Sequence, residues 1–280
     1  MRKGMKLQIQ RFDARKIKPG RITLLVGKRG TGKSTLMEDI MFRIHPTIEW
    51  SMAMTPTFES AEMFKRHMSY NFVYEQYAAT VMERVVDTQR SLMRKKKQKQ
   101  LLVALDDCLY DKTILKSRTI REVFMNGRHM SLTVLIACQY IMDMGPDLRS
   151  QVDYVFALRE NIISNRQRLW KYFFGMLGKY EDFARLMDAC TENYTCLVLD
   201  NTVKSNKLED CIFWYRAEPS IPHFTIGIKA VEDLTQRFLR KEQSDDERAV
   251  SNGCHQRATT PAKNAPWVSS VERMGDEAFQ

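Results

Sequence analysis

The sequence predicts an α/β domain with a mostly parallel central sheet flanked by helices. Short continuous apolar runs, the mark of strands buried on both faces, alternate along the chain with stretches of helical period. A glycine-rich loop joins one such run directly to one such stretch. A later apolar run, 101–105, ends in Asp106 and Asp107, so acidic side chains stand at the tip of a buried strand.

From the N-terminus, Leu7, Ile9 and the run to Phe12 suggest a short first strand, and Pro19-Gly20 makes a turn before the apolar run 22–26. Past the glycine loop, Leu36, Met37, Ile40, Met41 and Ile44 recur at the spacing that turns one side of a helix to a core, and Pro46 stops it. Residues 48–54 read as a strand and 58–68 as a helix. A long helix over 77–97 is predicted by the apolar pairs Val81-Met82, Val85-Val86 and Leu92-Met93. Its end carries Arg94, Lys95, Lys96, Lys97 and Lys99, where cations suit the helix dipole. Such a run can touch DNA phosphates but is more often a solvated face. A strand at 101–105, a helix at 114–125, strands at 132–137 and 152–158 and a helix at 166–177 continue the alternation. Late strands are expected at 195–199 and 211–215, with a last helix at 230–239. From 241 the chain is polar and aperiodic, which predicts one folded domain over 1–240 and a flexible tail over 241–280.

Composition narrows the class. A chain of 280 residues with 44% hydrophobic and 28% charged residues can bury one sizeable core and is not of the disordered type. No apolar stretch approaches the roughly 20 residues of a membrane span, and the first ten residues lack the apolar core of a signal peptide. The expectation is a protein that is neither secreted nor membrane-spanning. Six scattered cysteines, with no C-x-x-C pair, read as reduced thiols rather than disulfides or zinc ligands. Net charge is +10; residues 241–280 hold five basic and seven acidic residues, so residues 1–240 carry +12. That excess attracts polyanions, nucleic acid foremost.

The chemistry is carried by strand ends. Gly27, Lys28, Arg29, Gly30, Thr31, Gly32, Lys33 and Ser34 spell GKRGTGKS, the phosphate-loop pattern, with Thr35 continuing into the helix. Glycines let backbone N–H groups converge on a β-phosphate, Lys33 reaches the β- and γ-phosphates, and Ser34 ligates Mg²⁺. The expected ligand is ATP with Mg²⁺. An ordinary basic turn can share this composition; the placement between a strand and a helix argues for the phosphate loop. Asp106, at a strand tip, suits a metal role through water, and Asp107 suits the base that polarises the attacking water. Gln139 closes the strand after Cys138, where a polar sensor can contact the water or the γ-phosphate. In a parallel sheet, Val26, Leu105 and Cys138 end at one crevice. Arg128, Arg149, Arg159 and Arg166 are available to stabilise phosphoryl charge from a neighbouring subunit.

Three stretches together resemble the poxvirus-type genome-packaging ATPases of nucleocytoplasmic large DNA viruses, a branch of the FtsK/HerA superfamily. They are GKRGTGKST at 27–35, LLVALDDC at 101–108 with NGRHMSLTVLIACQY at 126–140, and DYVFALRENIISNRQRLWKYFFG at 153–175. The similarity covers roughly 15–220 and leaves out the tail. It implies a RecA-like P-loop domain that assembles as a homo-oligomeric ring, pentamer or hexamer, and hydrolyses ATP to move double-stranded DNA into a capsid. It implies nucleotide roles for Lys33 and Ser34, a metal role for Asp106 and a sensor role for Gln139. Arg128 and Arg159 become the first candidates for the inter-subunit arginine. Capsid vertex or portal proteins are the implied partners, and the virus assembly site in the host cytoplasm and the virion the implied places. Many superfamily members carry Asp-Glu where this chain has Asp106-Asp107, which places the shorter carboxylate farther from the water.

Other readings compete. A nucleoside kinase shares the phosphate loop but rarely needs an aspartate pair and a strand-end glutamine. A cellular-type FtsK/HerA translocase shares the motor but not the 153–175 stretch. A GTPase lacks support, because no Asn-Lys-x-Asp is present. A scaffold that binds nucleotide only to assemble would have no use for the hydrolytic groups.

Overall fold

The computed structural model describes residues 8–109, 111–139, 144–227 and 233. Along the chain β1 (Gln10–Arg11) and β2 (Ile22–Val26) precede α1 (Lys33–Ile44), and β3 (Trp50–Met54), α2 (Phe58–His67) and β4 (Val73–Tyr74) come next. Then α3 (Ala79–Arg94) leads to β5 (Leu101–Asp106), and α4 (Lys112–Lys116) with α5 (Arg118–Asn126) leads to β6 (Leu132–Cys138). After α6 (Pro146–Arg149) come β7 (Tyr154–Ala157), α7 (Ile163–Phe173), α8 (Tyr180–Cys190), β8 (Thr195–Asp200), α9 (Leu208–Cys211) and β9 (Ile212–Arg216).

The described strands form one sheet in the order β1-β9-β8-β7-β2-β6-β5-β3-β4. All neighbours pair in parallel except β7 with β8 and β8 with β9, so β8 alone runs against the rest. The cause lies in the connection. One helix long enough to span the sheet, such as α1 between β2 and β3, returns the chain to the end from which another parallel strand starts, whereas α7 and α8, of 11 residues each, carry it across and back to the end it left. The next strand must then run down. The sheet is therefore mostly parallel, as the continuous apolar runs predict.

Those runs are apolar on both sides because both faces are covered. Leu25, Ala53, Leu102, Ala104 and Leu135 pack with residues of α1 and α2. Leu24, Val26, Val103, Leu105 and Ile136 pack with Met82 and Val86 of α3, Ile120 and Val123 of α5, Leu169 of α7 and Phe183 and Met187 of α8. Tyr215 of β9 donates a hydrogen bond to the fully buried Asp39 of α1, which also accepts from Arg43, so the helix behind the phosphate loop is tied to a strand three places from β2 on the same face of the sheet.

Several expectations need correction. The single helix over 114–125 is two, broken at Ser117, whose hydroxyl accepts from Ile120 N–H and caps α5. The helix expected over 166–177 begins at Ile163, stops at Phe173 and gives way to a 3-10 turn, Gly175–Leu177. No element is predicted over 180–190, yet Phe183, Leu186, Met187 and Cys190 keep helical spacing and α8 forms there. The five described cysteines are free thiols; burial pushes Cys108 and Cys138 up to about 12. Among the described residues no helix is long and apolar enough to cross a membrane. The chain divides into two units, Met1–Gln236 and Arg237–Gln280. The second unit, the helix expected at 230–239 apart from Asp233, the domain boundary at 240 and the polar tail lie outside the described residues.

Candidate active site

The phosphate loop leaves β2 under close constraint. Gly27 N–H donates to Cys138 O at 3.1 Å, which holds the loop's start against β6. A Cβ on Gly27 would stand 2.7 Å from Thr31 Oγ1 and 2.8 Å from Leu158 Cβ, so only glycine fits. Gly32, at φ +91°, turns the chain into α1 through the left-handed region. The Thr31 hydroxyl donates to Lys28 O at 2.7 Å and closes the loop on itself. The first turn of α1, with its unpaired N–H groups and the positive end of its dipole, opens into the cavity beside the loop.

That cavity, of about 520 Å³, is lined by Lys28, Arg29, Gly30, Gly32, Lys33, Ser34 and Thr35 from the loop, by Asp106, Asp107 and Gln139 from neighbouring strand ends, and by Thr57, Glu59, Ser60 and Tyr194. Lys33 is nearly buried, and its Nζ donates to both Asp107 oxygens at 3.0 and 3.2 Å. Gln139 Nε2 donates to Asp107 Oδ2 at 3.1 Å. Three strand tips, β2, β6 and β5, thus meet in one hydrogen-bonded chain, Lys33 to Asp107 to Gln139.

Two successive aspartates reach the same cavity only because the backbone bends between them. Strand neighbours point to opposite faces. Asp107, at φ +48°, has left the extended conformation, which swings its carboxylate back toward Lys33 while its N–H stays bonded to Ala137 O. Left-handed backbone is uncommon for a residue other than glycine, though aspartate tolerates it better than most. Asp106 is buried at the end of β5, with the Ser60 and Thr55 hydroxyls close enough to favour its charged form. Burial pushes its carboxyl above the usual range, the Asp107 charge adds to this, and Ser60, Lys33 and Thr55 oppose it. A cation in the cavity would relieve that cost. The Ser34 hydroxyl and the Asp106 carboxylate are a donor set that suits a small hard cation whose other positions are taken by phosphate and water.

Every residue singled out in the loop and the strand tips therefore gathers here, with Gly27 and Thr31 acting as its frame. The arginines do not. Arg128 is exposed beside Gly20, at the start of β2 and β6, the opposite end of the strands. Arg159 is exposed and lines a second cavity across the loop with Asn161 and Tyr194. Arg149 stacks on the Tyr172 ring at 4.0 Å, and Arg166 binds Ala184 O and Asp188 and thereby ties α7 to α8.

Sequence reasoning misses Glu160. It is buried at the end of β7, 3.0 Å from Lys28 Nζ, and accepts from Ile162 N–H and Asn165 as well. It pins the loop from the side opposite Asp107. A weak signal was present: Glu160 comes soon after an apolar run, though Arg159 separates it from Leu158, whereas Asp106 and Gln139 follow their runs directly.

A family model described as Poxvirus A32 protein matches residues 9–215. Uncharacterized protein L437 of Acanthamoeba polyphaga mimivirus is 27% identical over 251 residues, which is 86% of this chain and 87% of that protein. Uncharacterized protein 015R of Frog virus 3 is 33% identical, over 69% of this chain and 61% of that protein, and uncharacterized protein 075L of Invertebrate iridescent virus 6 is 30% identical, over 71% and 81%. Among solved structures, the genome packaging NTPase B204 of Sulfolobus turreted icosahedral virus 2 in complex with AMP superposes with a TM-score of 0.50 at 16% identity, over 73% of this chain and 100% of B204. Its complex with ATP-gammaS gives 0.50 at 18%. At such identities the likeness is one of fold.

Proposed function

Because this chain belongs to the poxvirus A32 protein family, which spans most of its length, we propose that it is an ATPase that drives double-stranded DNA into a viral capsid. The observation that carries the catalytic half of this reading is the bonded chain of Lys33, Asp107 and Gln139 at the ends of three adjacent parallel strands. The DNA half is supported by the family, by the fold shared with the genome packaging NTPase B204 and by the +12 charge of residues 1–240.

In this reading the backbone N–H groups of 28–35 and the Lys33 ammonium hold the β- and γ-phosphates of ATP. A γ-phosphate at Lys33 competes with Asp107 for the ammonium and frees that carboxylate to accept a hydrogen bond, and then a proton, from a water attacking in line. The Gln139 amide fixes the orientation of the Asp107 carboxylate. Ser34 and Asp106 are the residues that would hold a Mg²⁺ ion accompanying the nucleotide, which would supply neutralisation of charge developing on the phosphates.

A homo-oligomeric ring, pentamer or hexamer, completes each site with an arginine of the adjacent subunit. Arg128 fits that role because it stands at the far end of β2 from its own loop, about 16 Å away along the strand, and reaches a phosphate only across a subunit boundary. Arg159 lies beside its own loop and remains the second candidate. Capsid vertex or portal proteins anchor the ring, at the assembly site in the host cytoplasm and in the virion.

The test is ATP hydrolysis by the purified chain with and without duplex DNA over a range of salt. Hydrolysis should rise with DNA, and the rise should fade as salt screens the phosphate contacts. Lys33→Ala should lower hydrolysis at least about 100-fold under all conditions. A rate indifferent to duplex DNA at low and moderate salt overturns the motor; full activity in Lys33→Ala overturns the site.

A further inference from the structure

We propose that Tyr194 is the platform on which the purine base of the nucleotide stacks, in a second cavity across the phosphate loop from Asp106, Asp107 and Gln139. The proposal rests on the nucleotide reading above and deepens it by assigning the half of the ligand that the loop does not hold.

The second cavity measures about 480 Å³ and shares the loop as a wall. Tyr194 lines both cavities and stands on the lip between them. Its ring lies against the start of α1, because a Cβ on Gly32 would be 3.2 Å from Tyr194 Cδ1. The side chain nevertheless stays open, at 68% exposure. A large aromatic ring gains most by burial, so one held bare at the mouth of two cavities has a face available for a ligand.

The backbone supports the same conclusion. Asn193 and Tyr194 both sit in the left-handed region, at φ +51° and +60°. Asparagine adopts it readily; tyrosine does so at a cost in free energy, and such strain collects at ligand sites. The loop is brought here by the reversal of β8, whose start lies at the same sheet end as the tips of β2 and β7.

The lining sets the ligand chemistry. With its γ-phosphate near Asp107, on the β6 and β5 flank, a nucleotide must extend its sugar and base away from that flank. The space across the loop offers Asn161 and Asn193, whose amides can pair with base edges and ribose hydroxyls, and Arg29 and Arg159, which favour an anionic ligand. No carboxylate is among the described residues that line it. Stacking on an aromatic ring depends on the area of the base and little on its edge. Purine nucleotides should therefore bind better than pyrimidine ones, with little choice between adenine and guanine.

The experiment measures binding of ATP, GTP, UTP and inorganic tripolyphosphate by calorimetry, with KM and kcat for ATP, in the full chain and its Tyr194→Ala and Tyr194→Phe variants. Tyr194→Ala should weaken ATP and GTP by about 5- to 150-fold, the loss falling on KM rather than kcat, and should leave tripolyphosphate affinity as it was. Tyr194→Phe, which keeps the ring, should recover most of the purine affinity. Equal weakening of ATP and tripolyphosphate would make Tyr194 a prop for the loop and overturn the proposal, as would a wild-type KM in Tyr194→Ala or a Phe variant as weak as the Ala one. A wild-type chain that holds tripolyphosphate as tightly as ATP removes the base site and leaves the phosphate loop standing. One that binds neither removes both readings.

Discussion

The two flanks of β2 are built differently. On one, β6 and β5 run parallel to it, and each delivers a polar group from its tip: Gln139 just past β6, Asp106 at the end of β5 and Asp107 one residue later. On the other, β7 is parallel but β8 is reversed, so the cavity wall comes from the residues just after β7 and just before β8, Arg159, Asn161, Thr191, Asn193 and Tyr194, with Glu160 buried behind them against Lys28. The parallel flank puts groups of opposite charge within hydrogen-bond reach of one another, as chemistry on a phosphate requires. The reversed flank supplies an ion pair that pins the loop and an open aromatic ring. One side is built to react and the other to hold.

The largest expected effect tests the reacting side. Asp107→Asn keeps the shape and the bond from Gln139 but cannot accept a proton, so kcat should fall by about 100- to 10,000-fold. ATP binding, measured by calorimetry, should persist or tighten, because Lys33 no longer has a competing carboxylate. Wild-type turnover in this variant would move the chemistry off the parallel flank and break the comparison. Gln139→Ala should have a smaller effect, since it leaves the carboxylate present but free to turn; a loss in kcat of up to about 100-fold is expected, with KM little changed. A change confined to KM would make Gln139 a binding group and blur the line between the flanks.

The same division explains what the sequence discloses. An apolar run that ends in a polar residue needs only a few adjacent positions to be read, and so β2, its loop, β5, β6, Asp106, Asp107 and Gln139 are all legible. What Lys33 bonds to is not, because the contact spans seventy-four residues and depends on the bend at Asp107. The reversed flank is harder still. Its direction is set by α8, a second helix whose apolar spacing is present but whose effect on β8 is topological. Tyr194 matters only once that reversal brings it to the loop. Arg128 sits between: that it precedes the strand 132–138 already places it at the wrong end of a parallel sheet to serve its own site. The break at Ser117 shows the usual limit, a capping hydroxyl inside a continuous apolar period.

The smallest effect sharpens the holding side. Burial alone would raise the Glu160 carboxyl, but hydrogen bonds from Ile162 N–H, Asn165 and Lys28 outweigh it and hold the group below its ordinary 4.5. A carboxylate depressed on folding stabilises the fold above its unfolded value, and that stability is lost as pH falls through the folded one. At neutral pH, Glu160→Gln should cost about 1.5–3 kcal/mol, the range for a hydrogen bond to a charged group. Urea denaturation should show the gap to wild type narrowing only below pH 4.5, where Glu160 itself takes up a proton. In hydrolysis assays the variant should lose ATP affinity, through a loosened Lys28, while kcat stays near wild type. A gap of equal size on both sides of that pH would show that packing, not the charge on Glu160, holds the loop, and a fall in kcat at unchanged KM would place chemistry on the reversed flank as well.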